Sequence, residues 1–188
     1  MLKILCKIIY IMEGDIIKVM NKFKEIKPEE LNKSAFKLIG KDWMLITAEK
    51  DNKVNTMTAS WGGFGIMFAK NVVYIGIRPQ RYTKEFVDNS DTFSLTFFDE
   101  TFRKKLSYLG TVSGRDEDKI SKANLTIQHE NNTPYFEEGN IAIICKKVYA
   151  QDFDPKCFTV GELDEKWYPE KDYHTFYIAE IEKILIKE

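Results

Sequence analysis

The chain has 188 residues, with 28 Lys and Arg against 29 Asp and Glu, which gives a net charge of -1 at pH 7. This balance gives no support to nucleic acid or an anionic membrane surface as a partner. Hydrophobic residues make up 44% and charged residues 30%, a composition typical of one globular domain with a substantial core.

Cysteine and histidine are scarce. Cys6, Cys145 and Cys157 are widely separated, and only His129 and His174 accompany them. No C-x-x-C or zinc-ligand spacing occurs, so we predict no metal site. This cysteine usage indicates a reducing compartment, and we expect a cytoplasmic protein.

The first 19 residues differ from the rest of the chain. Their apolar run is interrupted by Lys3 and Lys7 and is too short to cross a bilayer, and no signal-peptide cleavage site follows it. Met20 opens a more conventional start. We therefore predict that residues 1–19 are an added element or the product of an upstream start codon, and that residues 20–188 form a single domain.

Short β-rich runs follow one another with few helices between them. A short amphipathic helix is predicted over 28–37, and others after Thr83, over 100–109 and over 117–122. Residues 125–136 are expected to be irregular or weakly extended, and 154–173 to form a loop rich in aromatic and acidic residues. The predicted strands are 43–48, 54–61, 71–77, 92–98, 141–153 and 176–186, with a short segment over 64–69. This pattern predicts a mainly β fold, an antiparallel β-barrel with a few short helices.

Residues 54–83 have the most informative chemistry. Small hydroxyl residues alternate along one strand, which lets a flat ligand approach the backbone, and a basic, hydroxyl-rich turn at a strand-to-helix junction suits a phosphate. An ordinary strand with a Thr and Ser solvent face and a basic turn is the alternative. The sequence contains no G-x-G-x-x-G, Walker A, G-x-S-x-G or H-E-x-x-H motif, so any chemistry is expected to belong to a cofactor.

Four motifs in order carry a resemblance to a known family: N-T-M-T-A-S-W, I-G-I-R-P-Q-R-Y-T, S-G-R-D-E-D-K and D-Y-H-T-F-Y-I-A-E-I. Over residues 36–182 the chain resembles the flavin reductase-like, FMN-binding split-barrel proteins, the flavoredoxin group in particular. The resemblance implies a six-stranded antiparallel split β-barrel, a homodimer, and FMN bound at or near the subunit interface.

The same resemblance implies roles for individual residues. The flavin ring and ribityl chain would be lined by Thr56, Thr58, Ala59, Ser60 and Trp61. The phosphate would be held by Arg78, Arg81, Tyr82 and Thr83. Ser113 and Gly114 would lie close to the cofactor of the same or the partner subunit. His174 would lie on the substrate side of the flavin as the candidate catalytic residue, with a solvated loop histidine as the alternative; Trp61 would either cover the ring or belong to the core.

The implied function is that of an FMN-dependent oxidoreductase. It would pass electrons from reduced nicotinamide or another donor to a flavin, a ferric complex or a redox protein. Two alternatives stay open: an FMN-binding electron carrier without its own nicotinamide turnover, and a split-barrel protein that takes no flavin. The sequence departs from the family pattern at Ala179, where glycine is frequent, and in the unmatched loop 153–173, so the substrate is left open.

Overall fold

An antiparallel sheet of eight strands organises residues 23–188, the part of the chain that the computed structural model describes. The predicted extension over residues 1–19 and the domain start at Met20 lie outside the described residues. Two further strands form a separate hairpin. The strands are β1 (Phe23–Ile26), β2 (Met44–Lys50), β3 (Lys53–Ala59), β4 (Gly62–Met67), β5 (Lys70–Ile77), β6 (Thr92–Phe97), β7 (Ile127–Glu130), β8 (Thr133–Phe136), β9 (Ile141–Asp152) and β10 (Thr175–Lys187).

The helices are short and lie between the strands, so the prediction of a mainly β fold is confirmed. They are α1 (Ala35–Lys37), α2 (Tyr82–Asn89), α3 (Arg103–Thr111), α4 (Lys119–Lys122) and α5 (Gly161–Trp167). Single 3-10 turns cover Pro28–Glu30, Glu100–Phe102 and Pro155–Cys157, and a π-helical turn covers Leu38–Asp42. Within residues 23–188, no helix combines the length and the apolar character needed to cross a membrane.

The sheet closes on itself except at one gap. Its order is β3-β2-β6-β9-β10-β5-β4, so β3 and β4 are the two ends of the path. These strands are consecutive in sequence and joined only by Ser60 and Trp61, so the ends of the two edge strands lie no more than about 11 Å apart. They nevertheless do not pair. The result is a barrel split between β3 and β4, with Trp61 at the split.

The main sheet has eight strands where the resemblance implied six. One reason is that β1 pairs with the second half of β10, from Phe23 opposite Lys187 to Ile26 opposite Ile184. Another is that the glycine-rich segment after Trp61 forms β4 on β5.

Alternation along the strands separates the barrel interior from its outer face. Val73, Ile75 and Ile77 of β5 belong to the main core, whereas Tyr74 and Gly76 face the other way. The neighbouring strand β10 follows the same rule, so its Phe176 stacks on Tyr74 outside the barrel with ring centroids 5.8 Å apart. One outer face of the barrel is therefore aromatic.

A second apolar cluster lies outside the barrel and fixes the position of α3. Leu45 of β2 packs there with Leu106 and Leu109 of α3 and with Phe136 of β8. Because α3 is held against β2 and β3 in this way, its C-terminal end lies beside the end of β3. That arrangement brings two distant parts of the sequence to the barrel gap.

Local differences from the predicted elements have identifiable causes. The segment 28–37 is divided into a 3-10 turn and the short helix α1, and Ser34 caps α1 by accepting a hydrogen bond from Lys37 N. The expected irregular region 125–136 contains the hairpin β7–β8, whose turn residues Asn131 and Asn132 have φ of 48° and 62°. Paired positive φ values at Asn residues are characteristic of a two-residue hairpin turn. The loop 154–173 contains α5.

Candidate functional site

The junction between β5 and α2 presents several hydrogen-bond donors. Arg81 is the N-cap of α2 and makes no side-chain cap, so the first helical amides, those of Tyr82 and Thr83, have no intrahelical acceptor. Arg81 Nη1 donates to Gly110 O at 2.7 Å, and none of the ion pairs among residues 23–188 involves Arg81. Helix N-terminal amides without intrahelical acceptors, beside a guanidinium without a carboxylate partner in this part of the chain, form an environment that favours an anion.

A buried asparagine that the sequence analysis missed joins β3 to this junction. Asn55 is 4% exposed, and its Nδ2 donates to Thr83 Oγ1 at 2.9 Å. A Cβ placed on Gly114 would lie 2.1 Å from Asn55 Oδ1, so only glycine fits here without displacing the asparagine. The sequence signal that could have identified Asn55 is an amide side chain inside a predicted strand, where a buried polar group requires a hydrogen-bond partner. Thr83 is thus buried in the first turn of α2 and does not cap it.

The segment that begins with Ser113 adds positive charge beside the junction. Ser113 Oγ accepts a hydrogen bond from the Arg115 amide at 3.2 Å, and the Arg115 guanidinium lies over the Tyr82 ring, 4.5 Å from its centroid. Arg115 also forms an ion pair with Glu85. The segment therefore packs directly on the first turn of α2.

Lys119 is a second residue that the sequence analysis did not assign. Its buried Nζ donates to Leu109 O at 2.9 Å and to Val112 O at 2.8 Å, at the C-terminal end of α3. Burial, together with the positive charge of Arg81, lowers the pKa of Lys119 to about 8. Arg81 and Lys119 therefore lie close enough to repel each other, which concentrates positive charge at this end of the site.

The hydroxyl residues of β3 are mostly occupied by the protein. Thr56 is buried, and its Oγ1 donates to Ile46 O at 3.0 Å and lies 2.9 Å from Thr47 Oγ1. Thr58 Oγ1 donates to Leu106 O at 2.5 Å. Ala59 packs against the main core, whereas Ser60 is exposed. The side chains of Thr56 and Thr58 thus hold the strand in place, and what β3 offers a ligand is its unpaired backbone edge at the barrel gap.

Trp61 and His174 form a stacked pair at the other end of the gap. Their ring centroids are 5.0 Å apart with an interplanar angle of 25°, and Trp167 of α5 meets Trp61 edge-on at 5.1 Å. Trp61 is 39% exposed, so it is not a core residue. His174 is only 9% exposed, which excludes the solvated loop histidine.

The environment of His174 keeps its ring neutral at physiological pH. Its Nδ1 lies 2.8 Å from the Tyr168 hydroxyl. Burial lowers the pKa of His174 to about 4, and the positive charges of Arg78 and Arg81 act in the same direction, against the opposing effect of Asp172. A neutral imidazole donates through one nitrogen and accepts through the other.

Arg78 has partners other than the predicted phosphate. Its Nη2 donates to Trp167 O at 2.7 Å, its Nη1 lies 2.5 Å from Asp172 Oδ2, and its guanidinium lies over the Tyr168 ring at 5.0 Å. Gln80 Nε2 also donates to Asp172 Oδ2, at 2.7 Å. Arg78 thus fastens the segment 154–173 to the end of β5. This segment, to which the family resemblance assigned no role, supplies the Asp172 carboxylate and the Trp167 carbonyl at the end of α5, and both contact Arg78.

Two cavities lie at the two ends of this arrangement. One, of about 610 Å³, is lined by residues that include Asn55, Tyr82, Gly114 and Lys119. The other, of about 480 Å³, is almost entirely apolar and is bordered by Trp61 and His174 among others. The structure therefore brings Arg81, Tyr82, Thr83, Ser113 and Gly114 together at one end and Trp61 and His174 at the other.

A third cavity, of about 660 Å³, contains none of the predicted site residues. It lies around Glu49 and His129, whose side chains are 2.6 Å apart. No group of three or more His, Cys, Asp or Glu side chains suited to holding a metal ion occurs in the described part of the chain.

Comparison with known proteins identifies the family. A family model described as the flavin reductase like domain matches residues 36–187. Among solved structures, the FMN-binding domain of a flavin reductases-like enzyme from Shewanella baltica has a TM-score of 0.66 at 17% identity, covering 90% of this chain and 79% of that one. Flavoredoxin from Methanosarcina acetivorans has a TM-score of 0.63 at 21% identity, covering 78% and 69%. At these identities the structural likeness shows the fold, which confirms the predicted FMN-binding split-barrel type.

A curated relative covers a smaller part of the chain. An uncharacterized protein from Aeropyrum pernix is 33% identical over 103 residues, which is 53% of this chain and 39% of that protein. The chain thus matches about two fifths of that relative's length. The family model, in contrast, extends over most of the chain and includes every residue of the site described above. The protein therefore belongs to the flavin reductase-like domain family.

Proposed function

We propose that this protein is an FMN-dependent oxidoreductase. It takes electrons from a donor such as NADH or NADPH and passes them to a flavin, a ferric complex or a redox partner protein. Membership of the flavin reductase-like family supports this proposal, as do solved relatives whose names describe FMN-binding proteins and flavoredoxins. The observation that carries it is the Arg81 guanidinium, which has no ion-pair partner within residues 23–188 and lies beside the first amides of α2 at one end of the barrel gap.

The residues at that end fit an FMN phosphate. Arg81, with the amides of Tyr82 and Thr83, supplies charged and backbone donors, and Lys119 adds positive charge. Gly114 keeps the space beside Asn55 free of a side chain. We assign the phosphate to Arg81 and α2, and we assign Arg78 to holding the segment 154–173.

The rest of the gap fits the isoalloxazine ring. The free edge of β3 offers backbone donors and acceptors along a flat ligand, from Thr56 to Ser60. Trp61, stacked on His174, borders the far end and limits access of water. When bound, FMN supplies the capacity to accept two electrons from one partner and release them to another. The protein's own residues would bind the flavin, orient it and shield it from water.

We also propose that the protein acts as a homodimer, as the family resemblance implies. An apolar group at the end of β4 supports this, since Ile66 is 67% exposed and Phe68 is 60% exposed. Light scattering after gel filtration is expected to give twice the mass of one chain. A monomer mass at micromolar concentration would reject the dimer and leave the FMN assignment intact.

The first experiment is the absorption spectrum of the purified protein, followed by titration with FMN. We expect the two visible bands of oxidised flavin and binding at micromolar FMN or below. A colourless protein that binds no added FMN would reject the proposal in favour of a split-barrel protein without flavin.

The second experiment separates the enzyme from the electron carrier. FMN-loaded protein is mixed rapidly with NADH or NADPH without oxygen, and the visible flavin absorbance is followed. Bleaching by either nucleotide supports the oxidoreductase. If neither nucleotide bleaches a flavin that dithionite does reduce, the protein is a carrier of the flavoredoxin kind.

A further inference from the structure

The apolar cavity beside Trp61 has an unusual lining for a site open to solvent. It has a volume of about 480 Å³ and includes the side chains of Trp61, Tyr74, Phe153, His174, Phe176 and Ile178. No Lys, Arg, Asp or Glu contributes to the lining. A charged ligand would lose its hydration here without gaining a partner of opposite charge.

The rings around the cavity form flat walls. Phe176 stacks on Tyr74 with an interplanar angle of 14°, and Phe153 stacks on Phe176 with centroids 6.0 Å apart. Trp61 and His174 form a second stacked pair. Flat aromatic walls favour planar ligands, which bury the most surface by stacking.

His174 is the one lining residue with a strong hydrogen-bonding side chain that is both buried and fixed in position. We assign the Tyr168 hydroxyl as the donor to His174 Nδ1, because Nδ1 is the only acceptor within hydrogen-bond distance of this hydroxyl among the described residues. With Nδ1 accepting, the neutral ring carries its proton on Nε2. His174 Nε2 has no hydrogen-bond partner within residues 23–188. In this part of the chain, the fully buried side-chain atom without a partner is Thr96 Oγ1, so Nε2 is not fully buried. Nε2–H is therefore accessible to a ligand.

We propose that this cavity binds an uncharged planar carbonyl compound, such as a quinone or an aromatic ketone, whose carbonyl oxygen accepts a hydrogen bond from His174 Nε2–H. The inference rests on the proposed oxidoreductase function and adds this class of compound as a second ligand of the same site. Tyr168 is a positioning residue, because it fixes the tautomer of His174. A ferric complex with charged ligands does not match this lining.

Neighbouring charges do not alter this conclusion. Of the cations that lower the pKa of His174, Arg78 has the larger effect, and it is engaged by Asp172 and by Trp167 O. An anionic ligand would have to displace Asp172 to reach it. The cavity thus selects for neutral molecules.

Three ring compounds of similar size test the inference: acetophenone, which is neutral with a carbonyl; ethylbenzene, which is neutral without one; and benzoate, which is charged. Binding to FMN-loaded protein is followed by the ring ¹⁵N and ¹H resonances of the two histidines. We expect acetophenone to move the His174 resonances and leave those of His129. We expect it to bind about three- to tenfold more tightly than ethylbenzene, the scale of one hydrogen bond, and at least about tenfold more tightly than benzoate.

Variants separate hydrogen bonding from packing. In H174F, which keeps an aromatic ring, acetophenone and ethylbenzene are expected to bind equally, whereas H129Q in the distant cavity keeps the wild-type preference. If H174F does not fold, Y168F provides the test, because loss of the hydroxyl is expected to mix the two His174 tautomers in the ¹⁵N spectrum and to reduce the acetophenone preference. Equal or tighter binding of benzoate, or a His174 resonance that does not respond to acetophenone, overturns the inference. Because FMN content is measured separately, such a result leaves the proposed function standing.

Discussion

Asn55 Nδ2 donates a 2.9 Å hydrogen bond to Thr83 Oγ1, which ties the free edge strand β3 to the first turn of α2. Both residues lie at the end of the barrel gap where we place the FMN phosphate. Gly114 packs against the same amide, since a Cβ there would lie 2.1 Å from Asn55 Oδ1. One buried amide thus determines the spacing of three segments that are far apart in sequence.

Replacing Gly114 by Ala is expected to lower both stability and FMN affinity. The new Cβ must displace Asn55, whose hydrogen bond to Thr83 is buried, so we expect a loss of about 1–3 kcal/mol in the free energy of unfolding. Urea denaturation and FMN titration measure the two effects. Gly161 provides the matched control, because a Cβ there meets nothing within 4 Å.

A double-mutant cycle with Asn55→Ala tests the mechanism. Once the amide has been removed, the Ala at position 114 has no clash to make. Gly114→Ala is therefore expected to lower the free energy of unfolding by clearly less in the N55A background than in the wild type. Strictly additive losses would show that the glycine is required for another reason.

Arg81→Ala and Arg78→Ala are expected to differ in their effect on phosphate recognition. Arg81 lies at the α2 N-terminus and forms no ion pair within the described residues, so its loss is expected to weaken FMN binding by about 1.5–3 kcal/mol. Riboflavin, which lacks the phosphate, is expected to bind as before. Arg78 is engaged by Asp172 and Trp167 O. Its loss is expected to leave the preference for FMN over riboflavin unchanged and to accelerate proteolysis within 154–173.

Calorimetric titration with both flavins measures these preferences. Arg103→Ala serves as the control, since Arg103 stacks on Trp43 and takes no part in the gap. If R78A lost the FMN preference as R81A does, Arg78 would be a phosphate ligand as the sequence resemblance implied.

The sequence was sufficient for the features that depend on local pattern. The β-rich run over 71–77 predicts the strand β5, and the motif around Arg81 predicts a strand-to-helix junction that favours anions. The hairpin β7–β8 was not predicted, although Asn131 and Asn132 form a local turn signal between its strands.

Features that depend on distant partners could not be read in this way. The role of Arg78 depends on Asp172, 94 residues away in the chain, and that of Asn55 depends on both Thr83 and Gly114. The hydroxyls of Thr56 and Thr58 suggested ligand contacts, yet both donate to backbone carbonyls of neighbouring elements. The hydrogen-bond partner of a polar residue in a strand can be identified only once the fold is known.

FMN affinity is expected to fall as pH rises through about 8. Lys119 has a pKa lowered to about 8 and lies near Arg81, so below that pH it adds a positive charge beside the proposed phosphate position, and above it this attraction is lost. FMN titrations at pH 6.5 to 9.5 are expected to show this decline in the wild type and a flatter profile in K119Q. The exposed Lys104→Gln variant is the control and keeps the wild-type profile. A decline that persists in K119Q would assign the titration to another group.

The last prediction concerns stability in mild acid and follows from His174. Its pKa in the folded protein is lowered from 6.5 to about 4, so between these values the unfolded chain binds a proton that the folded protein does not. The stability contributed by the neutral ring is therefore fully present above pH 6.5 and decreases as pH falls towards 4, by no more than about 3.4 kcal/mol at 1.36 kcal/mol per pKa unit.

The pH range in which His174 changes stability differs from the range in which the carboxyl groups with a lowered pKa do so. Hydrogen bonds from Gln80 and Arg78 hold the pKa of Asp172 below its usual value of 3.8, so its contribution is lost at lower pH. Urea denaturation from pH 4 to 7 is expected to show the decrease in the wild type and not in H174F, while H129Q behaves as the wild type. An NMR titration is expected to place the His174 midpoint near 4, since Tyr168, Trp61 and Arg78 enclose the ring. A midpoint above pH 6 would mean that the His174 ring is hydrated in the folded protein. The decrease in stability between pH 6.5 and 4 should then be absent as well.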